Sequence, residues 1–505
     1  MNEPSVVSWP ERFRALAAEH PDTTAIRYTA ADGAGRMLTW GQLDGWTDRL
    51  ARGLLARGVG PGSTVVVALP NSPEHVALCH AAWKAGALVL PIRHALPVPE
   101  REAILELAAA AIVVSAWDDP GAPWHVHVSE LASLEDGSGT ALPDVAMQPA
   151  RAIGSGGSTG RPKLIVSLGP LAGRPPAPGE WGPPGRTMRL GQRHLVAGPL
   201  YHVAPFYWLH VGLFLDHEIT LLERFDPATV RAAVEAHAIQ WAFLSPTMLR
   251  RLTPFLEPDD GWLASLEGVY ASGGPFPAWL KEVWASRLGS RLVERYGAAE
   301  DIGLCEIDGV EALQHPGSVG RPLDTEIRII DADGATVPSG EVGEIFLRRI
   351  DGPSPASRYV GSPPIRTIAG GFATVGDLGW LDGDGYLHLA DRRADLIISG
   401  DANVYPAEVE GALHRHADVA EAAVIGLPDD SWGQRVHAIV QLRPGARATA
   451  ADLDRHCRAF LSAYKCPKTW EFVAALPRDD IGKVRRTALA RERAIPADIR
   501  TEDEA

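Results

Sequence analysis

The fold prediction depends most on the stretch from Gly376 to Glu410, GDLGWLDGDGYLHLADRRADLIISGDANVYPAEVE. Asp377 lies in a glycine-bounded turn, which suits a carboxylate that accepts hydrogen bonds from ligand hydroxyls. Asp382-Gly-Asp-Gly385 is a signal for a β-hairpin, although a purely structural turn explains it equally well. A smaller C-terminal unit begins near Asp391. The stretch therefore predicts paired strands that lead into a domain boundary.

Length and charge set limits on the kind of protein. The chain has 505 residues, which is too long for one ordinary core, so we expect a large N-terminal domain, 1–390, and a second domain, 391–505. The net charge of −15 argues against binding to nucleic acid or to an anionic membrane. An anionic substrate must therefore meet local positive charge.

The four cysteines form no CxxC motif or Cys/His cluster, so the sequence predicts neither a zinc site nor a disulfide framework. The N-terminus, MNEPSVVSWPERF, is polar and lacks an apolar core, so we do not expect a signal peptide. No uninterrupted apolar run is long enough to span a membrane. We expect a cytoplasmic protein.

Helices and strands alternate in the first part of the chain. The spacing of apolar residues predicts a helix from Leu43 to Gly58 and a second from Pro73 to Gly86. Apolar runs at Thr64–Leu69 and Ala87–Ile92 are typical of buried strands. This alternation predicts an α/β fold with mixed sheets and helices in the large domain.

The C-terminal unit is predicted to be a small α+β domain. Arg435–Leu442 is strand-like, and Thr449-x-x-Asp452 is a capping box for a helix with Leu453, Cys457, Phe460 and Leu461 on one face. Residues 455–493 carry ten Lys/Arg against four Asp/Glu. This basic run is either a surface that faces an anionic ligand or a solvated face.

The stretch Ser155–Lys163, SGGSTGRPK, lacks the spacing of a Walker A loop and of a dinucleotide loop. Its amides, its hydroxyls and Lys163 could surround phosphate oxygens, whereas a mobile linker is the alternative. In ERYGAAED, Tyr296 could stack on a base and Glu300 could hold Mg²⁺. Lys483, in DDIGKVRR, is by itself an ordinary surface lysine.

The order of these motifs resembles the adenylate-forming superfamily, the acyl-CoA synthetases and AMP-dependent ligases. The resemblance covers nearly the whole chain and implies a C-terminal lid domain joined to the large domain by a hinge at Asp391. It also implies a cytoplasmic acid–thiol ligase that uses ATP, Mg²⁺ and coenzyme A. The Ser155-Gly-Gly-Ser-Thr159 pattern is similar to bile-acid and steroid-acid CoA ligases, which points to steroid, lipid-acid or secondary metabolism.

The resemblance assigns roles to individual residues. Lys483 bridges the acyl carboxylate and the α-phosphate, Glu300 binds the metal, and His202 acts beside the substrate carboxylate. The ATP and AMP ligands are Ser155, Gly156, Gly157, Ser158, Thr159, Gly160, Lys163, Gly273, Gly274, Pro275, Tyr296, Gly297, Ala298, Ala299, Asp377 and Arg392. The acyl group meets His202, Phe206, Trp208, Ala271 and Gly273, and coenzyme A meets Ser399, Gly400, Lys465 and Lys468.

Three positions depart from the family pattern. Ala299 stands where a threonine is usual, Leu164 replaces a glycine, and Gly156 replaces a hydroxyl residue. A lost hydrogen bond to a charged group is worth roughly 1.5–3 kcal/mol. The departures raise the hypothesis that the ATP half-reaction is weak and that a separate adenylating enzyme supplies the acyl-adenylate.

The segment Ala204–Leu209 has no aspartate to hold an α-amine, so an amino acid substrate is not expected. Its aromatic residues, together with the small Ala271, Gly273 and Gly274, favour a bulky hydrophobic acid, including a polycyclic one. Phe206 and Trp208 could equally be core residues. A carrier protein as acyl acceptor, a nucleotide-binding protein without catalysis, and a homodimer stay open as alternatives.

Overall fold

The computed structural model describes residues 6–118, 124–142, 151–156, 162–169, 172–174, 187–259, 261–350, 355–392, 395–399, 402–429, 433–478 and 484–494. The described chain divides into two compact units. The first unit comprises Met1–Pro316, Pro322–Glu326 and Arg348–Ala373. The second comprises Gly317–Arg321, Ile327–Leu347 and Thr374–Ala505.

Within the described ranges the α-helices are α1 Trp9–Glu19, α2 Trp40–Ala56, α3 Pro73–Lys84, α4 Val98–Ala108, α5 Val203–Phe214, α6 Pro227–His237, α7 Pro246–Leu252, α8 Ala278–Leu288, α9 Gly309–Gln314, α10 Pro406–Leu413, α11 Ala450–Phe460 and α12 Arg486–Ala494.

The strands are β1 Val7–Ser8, β2 Thr24–Thr29, β3 Gly35–Thr39, β4 Thr64–Ala68, β5 Leu88–Pro91, β6 Ile112–Ser115, β7 His125–His127, β8 Ala152–Gly156, β9 Pro162–Ser167, β10 Ala172–Gly173, β11 Arg193–Val196, β12 Glu218–Leu222, β13 Trp241–Phe243, β14 Gly268–Ala271, β15 Leu292–Gly297, β16 Leu304–Asp308, β17 Ser318–Leu323, β18 Thr325–Ile330, β19 Gly343–Arg349, β20 Ser357–Val360, β21 Arg366–Ile368, β22 Phe372–Thr374, β23 Asp377–Leu381, β24 Leu387–Arg392, β25 Ile397–Ser399, β26 Ala402–Val404, β27 Val419–Asp429, β28 Gly433–Leu442 and β29 Thr469–Phe472.

A largely parallel sheet organises the first unit, in the order β3-β2-β12-β11-β13-β14-β15-β16. The pairs from β2 to β15 are parallel, and β3 and β16 are antiparallel at its ends. Successive residues of β13 alternate between two cores: Trp241 and Phe243 join one cluster, and Ala242 joins the other. Both faces of the sheet are therefore covered, which is why its strands read as continuous apolar runs.

Two smaller sheets complete the first unit. The parallel sheet β5-β4-β6-β7 carries Val65 and Val67 on one face and Val66 on the other. The antiparallel sheet β20-β9-β8 contains the strands on both sides of the glycine-rich loop. The helix and strand predictions for this part of the chain are confirmed by α2, β4, α3 and β5.

The second unit contains two sheets. In one, the antiparallel strands β19, β23, β24 and β17 are neighbours. In the other, β26-β25-β28-β27 is antiparallel, and β29 adds to β28 in parallel. The predicted hairpin is present: Asp382 accepts backbone hydrogen bonds from Asp384 and Tyr386 between β23 and β24.

The helix α11 begins with the predicted capping box of Thr449 and Asp452. Leu453 and Cys457 are buried, whereas Phe460, which helical spacing places on the same face, is 51% exposed. Its ring lies at the last residue of the helix and contacts His456 and Arg415 instead of the core. No helix among the described residues is both long and apolar enough to cross a bilayer.

Candidate active site

The predicted site segments follow the carboxyl ends of neighbouring parallel strands. His202 follows β11, Ala271 ends β14 and Gly273 follows it, and Tyr296 lies near the end of β15. In open α/β sheets, ligands bind in the crevice outside the carboxyl ends of the strands. The sheet topology therefore places the predicted contacts at 202, 271–275 and 296–299 at the carboxyl ends of neighbouring strands.

Glu300 and Lys163 meet in the first unit although 137 positions separate them. Lys163 Nζ lies 3.5 Å from Glu300 Oε1, and the Tyr359 hydroxyl donates a hydrogen bond to the same oxygen at 2.6 Å. Lys163 Nζ also lies 3.7 Å from the centroid of the Tyr359 ring. Glu300 is only 7% exposed, so these contacts are shielded from water. We call Lys163, Glu300 and Tyr359 the phosphate-site cluster.

A hairpin holds the predicted phosphate loop. Ser155 pairs with Lys163 and Gly156 pairs with Pro162 across β8 and β9. The described residues on the two sides of the predicted loop are therefore neighbours in one antiparallel ladder. Gly157, Ser158, Thr159 and Gly160 lie outside the described residues.

A tight turn carries Glu300. The Asp301 amide donates to the Ala298 carbonyl, and Asp301 has a φ of +52°, a left-handed conformation that aspartate tolerates. Arg349 Nη1 lies 2.6 Å from Asp301 Oδ2. This ion pair connects the turn to β19. Ala298 and Ala299 are both half-buried within it.

Glycines leave open space beside the segments that are predicted to bind adenine. Gly273 has a φ of +89°, and no atom lies within 4 Å of a Cβ built there or at Gly274. At Gly297 a Cβ would meet the Gly303 carbonyl and Leu304 at ordinary contact distance. Pro275 follows the two open glycines. These positions are consistent with a ligand ring that lies against backbone.

Asn71 fixes the turn that precedes His202. Its side-chain nitrogen donates to the carbonyls of Gly198 and Leu222, and its oxygen accepts from the Leu200 amide at 2.9 Å. Asn71 is 4% exposed and was not predicted from the sequence. His202 is half-buried at the start of α5, with its ring 4.6 Å from that of Tyr201.

The two aromatic residues predicted to contact the acyl group are almost fully buried. Phe206 is 1% exposed and packs on Trp83 and His210, whereas Trp208 is 4% exposed and packs on Trp241 and Tyr270. This packing supports a core role for Phe206 in particular.

Arg295 lies against the Trp208 side of this aromatic group. Its guanidinium carbon is 5.3 Å from the ring centroids of both Trp208 and Tyr270. Glu306 pairs with Arg295 at 2.6 Å and balances its charge. Since Tyr296 is the next residue, this packing fixes the end of β15 where the predicted nucleotide contacts begin.

The predicted ribose ligands lie in the second unit. Asp377 begins β23, Arg392 ends β24, and the two are directly opposite each other in the ladder. Asp391 is opposite Leu378, and the hinge and the domain boundary at this position stay predictions.

The predicted coenzyme A residues also lie in the second unit. Ser399 ends β25 and is 7% exposed. Lys465 pairs with Glu408 at 2.6 Å, so any anion there must displace a carboxylate. Lys468 donates to the Ala463 carbonyl. Gly400 and Lys483 lie outside the described residues.

Arg486 forms an ion-pair network that the sequence did not reveal. Its Nη2 lies 2.8 Å from Glu410 Oε2, and its Nη1 lies 3.1 Å from Asp395 Oδ2. Glu410 also accepts from the Val424 amide. The network joins α12, α10 and the segment after β24.

The donor set fits Mg²⁺ bound jointly by protein and substrate. Among the described residues, no group of three or more His, Cys, Asp or Glu side chains could hold a metal ion alone. Mg²⁺ is commonly held by one or two carboxylates together with substrate phosphates. Glu300 supplies such a carboxylate next to Lys163, which ends the predicted phosphate loop.

Comparison with known proteins agrees with this architecture. Residues 13–360 match the AMP-binding enzyme family, and residues 408–483 match the AMP-binding enzyme C-terminal domain. The structure of o-succinylbenzoate CoA synthetase from Bacillus subtilis, in complex with its acyl-adenylate, superposes with a TM-score of 0.79 at 26% identity, covering 96% of this chain and 98% of that one. The predicted fold class, a large α/β domain with a small C-terminal domain, is confirmed.

Two relatives show the extent of the similarity. A feruloyl-CoA synthase from Amycolatopsis sp is 32% identical over 97% of this chain and 99% of its own length. A 2-succinylbenzoate–CoA ligase from Bacillus licheniformis is 30% identical over 90% of this chain and 94% of its own. The predicted enzyme class, an acid–thiol ligase, is confirmed. This chain belongs to the AMP-binding enzyme family, the adenylate-forming ligases.

Proposed function

We propose that the protein is an acyl-CoA ligase that joins a bulky hydrophobic acid, including polycyclic acids, to coenzyme A through an acyl-adenylate. The observation that carries this proposal is the phosphate-site cluster, in which Lys163 and Glu300 meet at the end of the glycine-rich hairpin. A lysine and a buried carboxylate beside a phosphate loop are the groups that an ATP-dependent adenylation requires.

In the first half-reaction, an oxygen of the acid's carboxylate attacks the α-phosphorus of ATP. The new bond forms as the bond to the β-phosphate oxygen breaks, and pyrophosphate leaves with the electron pair. Both reactants are anions, so positive charge must hold them together. Lys163 meets the phosphates from the hairpin, and Lys483 is the proposed bridge between the carboxylate and the α-phosphate. Mg²⁺, held by Glu300, would supply further charge neutralisation when bound.

In the second half-reaction, the thiol of coenzyme A attacks the acyl carbon of the adenylate. The carbon–oxygen bond breaks, AMP leaves, and the thiol proton passes to solvent. We propose that the C-terminal domain turns about Asp391 between the two steps, which removes Lys483 and brings Ser399 and Gly400 to the thiol channel. The basic residues Lys465 and Lys468 would then meet the phosphates of coenzyme A.

Small side chains support the choice of a bulky acid. Ala271 is itself buried in the core, but a side chain at Gly273 or Gly274 would meet only open space. Missing side chains leave volume for the acyl group. Feruloyl and succinylbenzoyl groups, which two relatives are named for, both contain an aromatic ring. His202 lies at the start of α5, as the proposed contact of the substrate carboxylate.

The experiment is mass spectrometry of mixtures of enzyme, ATP, Mg²⁺ and coenzyme A with a panel of acids. The panel contains cinnamic, naphthoic and steroid acids, with acetate as the small control. Thioesters of the ring-containing acids support the proposal, whereas a thioester from acetate alone contradicts it. Parallel tubes with ready-made acyl-adenylates test whether a separate adenylating enzyme has to supply the intermediate.

A carrier protein is the second candidate for the acyl acceptor. The basic residues 455–493 would suit an acidic helix of a carrier as well as the phosphates of coenzyme A. Competition between coenzyme A and a holo carrier protein in the same tube separates the two acceptors. A nucleotide-binding protein without catalysis would give neither product, and sedimentation would show whether a homodimer forms.

A further inference from the structure

Tyr359 lies between the two charged side chains of the phosphate-site cluster and contacts both. Its hydroxyl donates to Glu300 Oε1 at 2.6 Å, while Lys163 Nζ is 3.7 Å from the centroid of its ring. An ammonium group over an aromatic face is attracted by the ring quadrupole. The Tyr359 side chain therefore contacts the ammonium group of Lys163 with the face of its ring and the carboxylate of Glu300 with its hydroxyl.

The strand that carries Tyr359 is bound to both halves of the site. In β20, Tyr359 is opposite Ile165 of β9, the strand that begins next to the glycine-rich loop. The Ser357 hydroxyl donates to the backbone carbonyl of Glu300. Because side chains alternate along a strand, Ser357 and Tyr359 share one face, and both reach Glu300.

The backbone adds two more connections between these segments. The Leu168 amide donates to the Ala356 carbonyl at 2.8 Å, and the Ala356 amide donates to the Asp301 carbonyl at 3.4 Å. The Tyr359 backbone is thus fixed relative to Lys163 on one side and to the Glu300 turn on the other. A residue fixed in this way can determine where both charged groups point.

We propose that Tyr359 is a positioning residue for the adenylation half-reaction. The hydroxyl holds one oxygen of Glu300, so that the other oxygen would be free to hold a metal, while the ring holds Lys163 at the base of the predicted phosphate loop. The proposal rests on the proposed function of the cluster. Without the hydroxyl, the Glu300 side chain gains rotamers and its metal geometry becomes looser.

The test compares Tyr359→Phe, which keeps the ring, with Tyr359→Leu, which removes it. Tyr28→Phe is the matched control, because the Tyr28 hydroxyl also donates to a carboxylate, that of Glu223, away from the cluster. Calorimetry measures binding of an ATP analogue with a methylene bridge between the α- and β-phosphates, as a function of MgCl₂. We expect Tyr359→Phe to need about tenfold more Mg²⁺ for the same affinity.

Tyr359→Leu should also weaken binding of the analogue without Mg²⁺, because Lys163 is no longer held. Tyr28→Phe should match the wild type within about twofold. A Tyr359→Phe variant that behaves like Tyr28→Phe overturns the proposal. In a Glu300→Gln background, Tyr359→Phe should cause no further increase in the Mg²⁺ requirement. If the two substitutions raise the Mg²⁺ requirement additively, the proposal is also overturned.

A kinetic readout separates positioning from simple loss of structure. Thioester formation from a ready-made acyl-adenylate and coenzyme A needs neither the β- and γ-phosphates nor the metal on them. We expect that step to stay within about twofold of wild type in Tyr359→Phe. Equal losses in both half-reactions indicate a structural role and contradict the proposal. If the wild type converts no acid, the proposed function fails, while the binding measurements still decide the role of Tyr359.

Discussion

Ala299 is one of the three positions at which the predicted ATP site departs from the family pattern. It is half-buried in the turn that carries Glu300. The family resemblance predicts a hydroxyl at this position. The structure supplies a different hydroxyl to the cluster, that of Tyr359, but that group is directed to Glu300 Oε1.

Restoring the hydroxyl tests the hypothesis of a weak ATP half-reaction. Ala299→Thr should raise the rate of pyrophosphate release about tenfold, since a hydrogen bond to a charged group is regained. Ala299→Val is the control, because valine has the same shape without the hydroxyl. Equal rates for the two variants, in a continuous pyrophosphate assay, would show that the position does not limit adenylation.

The sequence predicted the charged members of the cluster but not their partners. Lys163 and Glu300 lie in recognisable motifs, whereas Tyr359 lies in a segment, SRYVGSPP, without a local signal of function. Its role depends on the pairing of β20 with β9, two strands that are far apart in the chain. Contacts of this kind follow from tertiary structure, and periodicity does not reveal them.

At the scale of elements, sequence motifs correctly predicted features that depend only on neighbouring residues, namely a helix start and a turn. The capping box at Thr449 starts α11, and glycines and aspartates form the turn between β23 and β24. Helical spacing places Phe460 on the face of Leu453 and Cys457, but Phe460 is exposed, because it is the last residue of α11 and the packed core does not extend that far. The ion pairs that hold individual helices in place, such as those of Arg486 in α12, could not be predicted from the sequence either.

The Arg486 network should hold α12 in place. In Arg486→Met, Glu410 still accepts a hydrogen bond from the Val424 amide but loses its ion pair with the arginine. Asp395 loses its ion pair with the arginine as well. We expect a cost of about 1–3 kcal/mol for opening this helix. Hydrogen exchange of peptides from 486–494 should accelerate about tenfold, with peptides from α3 unchanged.

Arg491→Met, at an exposed position of the same helix, is the control. Equal acceleration in both variants would contradict this role for the network.

At the scale of the whole molecule, a set of buried histidines links stability to pH. His80 Nε2 lies 3.0 Å from His210 Nδ1, and both rings are essentially inaccessible to water. Burial lowers the pKa of both histidines, and it lowers the pKa of His75 and of His217 to about 4. These rings are therefore neutral in the folded protein at neutral pH.

Acid should destabilise the fold for this reason. Unfolded histidine has a pKa of about 6.5, so between about pH 6.5 and about pH 4 the unfolded chain binds more protons. The stabilisation is complete above that range and is lost as the pH falls through it, by up to about 1.4 kcal/mol per pH unit for each histidine. The melting temperature between about pH 7 and about pH 5 measures this effect.

A variant in which His80 and His210 are both replaced by leucine should show a flatter dependence of melting temperature on pH. His127→Gln, at a half-buried position outside this pair, should keep the wild-type slope. An unchanged slope in the double variant would show that other groups cause the acid sensitivity.

The acyl-adenylate is the central claim, and isotope transfer tests it most directly. The acid is labelled with oxygen-18 in its carboxylate and incubated with the enzyme, ATP, Mg²⁺ and coenzyme A, and the AMP is analysed by mass spectrometry. If the carboxylate attacks the α-phosphorus, one labelled oxygen passes to AMP, while the pyrophosphate stays unlabelled. Unlabelled AMP, or label in the pyrophosphate, would contradict the account.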